Sequence, residues 1–188
     1  MASQLSFKHA LFNEPASVSS GSRKYPLKYE WAFYSHLPHD TDWTLNSYKR
    51  VFDMSSLEDA ISLFEHIPKI VVERCMLFVM KTHIKPIWED PLNKNGGCFS
   101  FKVAEDKVYE MWKSIHYLMI GGQLGAHIKG FADKINGISI SPKRGFCIIK
   151  IWMETTEYED PSIFNPYFGT IFKDVENNAI YKLNKPEY

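Results

Sequence analysis

Cysteine is scarce in this chain. The three residues Cys75, Cys98 and Cys147 form no C-x-x-C pair and leave an odd count, which argues against a disulfide framework or a cysteine zinc site and fits a reducing compartment. Charge of one sign is missing too: twenty-two Lys and Arg balance twenty-two Asp and Glu. The whole-surface attraction of a bulk nucleic-acid binder is therefore absent, and any contact with phosphate has to be local. No stretch reaches the roughly 18 apolar residues of a membrane span, and the N-terminus has no apolar run of the signal-peptide type. The sequence reads as cytosolic, with the nucleus open as a second location. No G-x-G-x-x-G, P-loop, nucleophile elbow or H-E-x-x-H occurs. His36 and His39 invite a metal or acid–base reading, but a loop spacing fixes no ligand geometry and no carboxylate cluster accompanies them. The chain is expected to be neither an enzyme nor a holder of a cofactor or metal.

What is present is an ordinary globular composition, 45% hydrophobic, with aromatics enriched to 15% and five Trp. At 188 residues one domain suffices. Residues 1–24 mix Ser, Gly, Ala and Asn without period and read as a flexible arm, leaving 25–188 as the domain. Tyr29 to Tyr34 is a strand candidate with Trp31 and Phe33 on one face, and a polar loop from His36 to Asp42 ends at Trp43. A capping box of Ser55 and Glu58 opens a helix whose stripe is Leu57, Ala60, Ile61 and Phe64, stopped by Pro68. Met76 to Thr82 and Cys98 to Val103 read as strands. A second helix runs from about Glu105 to Ile120, with Val108, Met111, Trp112, Ile115 and Met119 on one side, and Gly121-Gly122 ends it. Ile135 to Ser141 and Phe146 to Thr155 form a hairpin across Pro142-Lys143-Arg144-Gly145. Ile148, Lys150 and Trp152 point to one face of it and Cys147, Ile149 and Ile151 to the other. A Pro-rich aromatic loop follows from Asp160 to Phe168, then a short helix near 172–177 and a last strand from Asn178 to Leu183. Strands scattered between two clear helices give an α+β single domain, an antiparallel sheet with its helices on one face.

The chemically distinctive stretch is Ile84-Lys85-Pro86-Ile87-Trp88-Glu89-Asp90-Pro91, running on to Gly96-Gly97. It sets a large π-face beside an acceptor-only carboxylate between prolines. Glu89 can accept two parallel hydrogen bonds from a base edge with two N–H donors, which among the common bases means guanine. Taken alone, Trp88 is as well explained as a loop anchor. Trp43 ends another loop, and Lys143, Arg144 and Lys150 lie on a basic hairpin. Two Trp faces would sandwich one flat ring. An N7-methylated guanine, being cationic, would add cation–π attraction of about 0.5–2 kcal/mol, and the basic residues would neutralise a triphosphate. A solvated hairpin tip explains Lys143 and Arg144 equally simply, and Lys150 is open.

These residues resemble the cap-binding translation initiation factors of the 4E family. The resemblance covers roughly residues 25–157 and rests on Tyr25-Pro26-Leu27 with Trp31, the helix ending Leu63-Phe64-Glu65-His66-Ile67, the Trp88 stretch with Asn93-Lys94-Asn95-Gly96-Gly97, and Trp112, Gly121 and Trp152 at the expected distances. It implies a curved antiparallel sheet of about seven or eight strands, two or three helices on the convex face, and a cap slot on the concave side. By the resemblance, Trp43 and Trp88 are the stacking residues, Glu89 reads the guanine, and Trp152 lies against the methyl group. Lys143 stands where the family usually has Arg, which keeps charge but loses the bidentate fork. Ile148 and Cys98 stand where two further basic residues are usual, so Lys150 or Arg144 would have to reach the phosphates.

The implied partners are the scaffold factor 4G or a 4E-binding protein, docking on the convex face, with the chain a monomer away from membranes. There Pro26, Leu57 and Tyr117 keep an apolar groove, but Ile61 replaces a gripping Trp and Lys113 replaces an apolar residue. Such a divergent paralogue, conceivably from a protist, is read as a cap-binding initiation factor. The competing reading is a repressor or protein-interaction adaptor on the same fold with weak cap binding. Trp31 and Trp112, each on the apolar side of its element, belong to the core.

Overall fold

Side chains alternate between the two faces of a strand, and here that alternation separates a helix-covered face from an open one. The computed structural model describes residues 24–37, 40–172 and 179–184. The expected N-terminal arm up to residue 23, His39, and the expected short helix after Phe172 lie outside the described residues.

Among the described residues seven strands make one sheet: β1 (Pro26–His36), β2 (Tyr48–Ser56), β3 (Met76–Lys81), β4 (Gly97–Ala104), β5 (Ile135–Pro142), β6 (Phe146–Met153) and β7 (Ile180–Leu183), in the order β2-β1-β3-β5-β6-β4-β7. Every neighbouring pair is antiparallel. The α-helices among the described residues are α1 (Leu57–His66), α2 (Lys69–Arg74), the single turn α3 (Pro91–Lys94) and α4 (Val108–Ile120).

One face of the sheet carries the main core. Trp31, Phe33, Val79, Phe99, Phe101, Ile138, Ile149 and Ile151 pack there against Leu63 and Phe64 of α1 and Met111, Trp112 and Ile115 of α4. Each such fully buried side chain contributes about 1.5–3 kcal/mol through burial. The opposite face carries a smaller cluster of Ala32, Tyr34, Phe78, Met80, Ile84, Cys98 and Trp152. The hairpin faces are as the alternation predicts, with Cys147, Ile149 and Ile151 under the helices and Trp152 on the other side. Trp31 and Trp112 are core residues, although neither indole N–H has a hydrogen-bond partner.

Four local expectations are corrected. The capping box of α1 is Ser56 with Asp59, one residue later than Ser55 and Glu58, because β2 runs through Ser56 before the helix begins. Glu58 instead accepts from the Tyr25 backbone N–H at 3.1 Å. The buried stripe of α1 is Ala60, Leu63 and Phe64, while Leu57 and Ile61 stay 43% and 39% exposed on its outer edge. α4 starts at Val108, since residues 104–107 close a turn in which the Lys107 N–H donates to the Ala104 carbonyl. β2, with the exposed polar side chains of an edge strand, and the six-residue α2 had no legible period. The segment from Asp160 to Phe168 contains a 3-10 run, Pro161–Tyr167, capped by Asp160.

Candidate functional site

The open face of the sheet holds a cavity of about 450 Å³. Trp43, Trp88 and Glu89 line it from the two loops at one end, Trp152 and Ser139 from its floor, and Lys143, Ile148 and Lys150 from the β5–β6 hairpin. Residues far apart in the sequence are thus brought to one place. Arg144 does not line the cavity; it stands exposed at the hairpin tip beside Gly145, whose φ of 81° suits the turn.

Each wall is built by local chemistry. Asp90 turns the chain after Trp88-Glu89: its carboxylate accepts the backbone N–H of Lys85 at 2.9 Å and of Leu92 at 3.0 Å, capping α3 with Pro91 at its first turn. Asn93, fully buried, donates to the carbonyls of Lys85 and Ile87 at 3.0 and 2.8 Å. The loop is therefore stitched from both ends while Trp88 is left half-buried and Glu89 exposed. Gly96 follows because a Cβ there would lie 1.8 Å from the Met153 carbonyl oxygen, so β6 passes too close for any side chain.

The Trp43 wall rests on a neighbour that the sequence reading had set aside. His36, at the end of β1, lies stacked on Trp43 with centroids 4.6 Å apart and planes 7° from parallel. Asp42, just before Trp43, is held well below the usual carboxylate range, chiefly by the Thr44 backbone N–H. Behind these rings Tyr48 packs edge-on to both His36 and Phe78. Burial, and to a lesser degree the nearby Glu89 carboxylate, pushes the Tyr48 hydroxyl up. Among the described residues no cluster of His, Cys, Asp and Glu could hold a metal ion.

On the floor, the Trp152 indole N–H donates to Ser139 Oγ at 2.9 Å, which fixes the ring with only 8% of its surface exposed. Cys98 pairs with Trp152 across the β4–β6 ladder, and burial pushes its thiol up to about 12, with Lys150 acting in the opposite direction. Ile148 occupies the wall between Lys143 and Lys150, so the cationic end of the cavity is interrupted by an apolar side chain.

On the helical face, Pro26, Leu57 and Ile61 are exposed and Lys113 and Tyr117 half-buried. Tyr117 packs on Phe64, which joins α4 to α1 beneath these residues.

The pattern description "Eukaryotic initiation factor 4E" matches residues 26–175, most of the chain. The chain belongs to the eukaryotic initiation factor 4E family. A 4E homolog of Acanthamoeba polyphaga mimivirus is 38% identical over 73 residues, covering 39% of this chain and 26% of that protein. Initiation factor 4E-1 of Oryza sativa subsp. japonica is 29% identical over 145 residues, covering 74% of this chain and 61% of the rice protein. The chain thus spans less than two thirds of either relative. In fold it is similar to C. elegans eIF4E-3, solved with the 4E-binding protein Mextli and a cap analog, at a TM-score of 0.72 and 20% identity over 86% of this chain and 93% of that one. It is also similar to Ascaris suum eIF4E-3, solved with an m2,2,7G cap, at a TM-score of 0.73 and 20% identity over 88% and 94%. The family fold expected from the sequence, a single antiparallel sheet backed by helices, is the one observed.

Proposed function

We propose that this chain binds the N7-methylguanosine 5′ cap of messenger RNA in translation initiation. The observation that carries the reading is that Trp43, Trp88, Glu89 and Trp152 line one cavity whose far end is cationic. In this reading the methylated base lies between Trp43 and Trp88, Glu89 accepts from its two edge N–H groups, and Trp152 meets the methyl group. Lys143 and Lys150 hold the phosphates. Arg144, at the exposed tip, adds long-range charge, so its contribution is screened by salt. In this reading the function is recognition in the cytoplasm, without catalysis.

The convex face supports a partner. Pro26, Leu57, Ile61 and Tyr117 offer an apolar strip to an amphipathic helix of the kind carried by the scaffold factor 4G or a 4E-binding protein, with Lys113 beside it selecting for an acidic neighbour in the partner. A second reading, a repressor or adaptor with weak cap affinity, is favoured by Ile148 interrupting the cationic end.

Retention on immobilised N7-methyl-GTP tests the first reading, with elution expected from the methylated and not the unmethylated nucleotide. Absence of Trp fluorescence quenching at micromolar N7-methyl-GTP overturns it in favour of the second. Pull-down from native lysate with wild type, and with Ile61→Trp plus Lys113→Leu, tests the partner surface: an unchanged set of captured proteins rules the strip out.

A further inference from the structure

We propose that His36 is the positioning residue of the base slot, bracing Trp43 from behind so that the indole is held as a plate for a stacking base. The inference rests on the cap-binding reading and extends it to a residue outside the cavity.

Trp43 is 59% exposed and lines the cavity, whereas His36 is 2% exposed and does not. With the two rings stacked at 4.6 Å and 7°, the indole stands between the imidazole and the space for the base. His36 Nε2 lies 2.9 Å from the Asp42 carbonyl oxygen. A carbonyl only accepts, so Nε2 carries the hydrogen and donates. That bond also ties the imidazole to the residue preceding Trp43.

Tyr48 of β2 closes the back of the imidazole, edge-on at 5.1 Å, and β3 places Met76 opposite it in register.

A plate held in this way has less side-chain freedom left to lose when a base stacks on it.

The test is Trp fluorescence titration of wild type, His36→Phe, His36→Leu and His36→Ala with N7-methyl-GTP, beside thermal melts of each protein. His36→Phe, which keeps a flat ring behind Trp43, is expected to bind as wild type does. His36→Leu and His36→Ala, which remove the stacked ring, are expected to bind roughly two- to tenfold more weakly. Undiminished binding by His36→Leu or His36→Ala, or an equal loss in His36→Phe, overturns the brace. If wild type does not bind N7-methyl-GTP, the cap-binding reading itself fails and this inference with it. If His36→Ala does not fold, the comparison of His36→Phe with His36→Leu decides.

Discussion

Asn136 Nδ2 donates to Asn93 Oδ1 at 3.0 Å, a buried bond that ties the loop bearing Trp88 and Glu89 to β5. Asn136 Nδ2 also donates to the Leu92 carbonyl at 2.8 Å, and Asn184 Nδ2 reaches the Asn93 carbonyl at 2.9 Å from beyond β7. The reading edge of the slot is thus held by amides from three separate parts of the chain, and little loop-ordering entropy remains to be lost when a base enters.

Asn93→Ala strips the Lys85 and Ile87 carbonyls of their donor and leaves Asn136 short of an acceptor. A loss of about 2–3 kcal/mol in stability is expected from buried polar groups left unpaired, together with weaker N7-methyl-GTP binding through a loosened Trp88 loop. Thermal melts and fluorescence titration check it; a variant with wild-type Tm and affinity would refute the anchoring role.

Within the slot, Trp88→Ala and Glu89→Gln should each nearly abolish binding of the methylated nucleotide, because one removes a stacking plate and the other replaces an acceptor with an amide donor facing N–H groups. Lys143→Ala should only weaken binding and lower its salt dependence by about one unit of logarithmic slope. Affinities measured at several salt concentrations separate these roles, and equal losses in all three variants contradict the division.

Gly96→Ala should be destabilising by at least about 1–3 kcal/mol, the usual cost of forcing a methyl into packed structure, since its Cβ would overlap the Met153 carbonyl. Denaturant unfolding is the measurement. An alanine variant as stable as wild type means that β6 can draw back from this loop.

His116 carries a pH prediction remote from the slot. It is fully buried in α4 against Phe64, and neither ring nitrogen makes a hydrogen bond. Burial pulls it down to about 3, with the Ala60 backbone acting in the opposite direction. A histidine depressed in the folded state leaves the unfolded chain binding the extra proton, so stability is intact above the unfolded value of about 6.5 and falls as pH drops toward about 3. At pH 5 the loss is about 2 kcal/mol. His116→Leu is expected to flatten this part of the stability–pH curve; parallel curves for the two proteins would show that other groups dominate.

The sequence alone determined the fold class, the strand faces and the identity of the cavity's main walls, because those features rest on local periodicity and on side-chain types that few chemistries use. Trp31 and Phe33 two apart, the α4 stripe ended by Gly121-Gly122, and the in-out alternation of Ile148 to Trp152 are all readable without a partner strand. Tertiary structure alone decided how those walls are held. β2 is an edge strand whose polar, solvent-facing side chains carry no period. The shift of the α1 cap from Ser55 to Ser56 follows from where β2 ends. Asn93 was visible in a motif, but its partners Asn136 and Asn184 lie far along the chain, and a hydrogen bond between distant residues leaves no trace in spacing. His36 looked like half of a histidine pair in a loop. Only the return of the chain through Asp42 lays its ring flat on Trp43, where dispersion and charge act over a few ångströms that sequence separation does not encode.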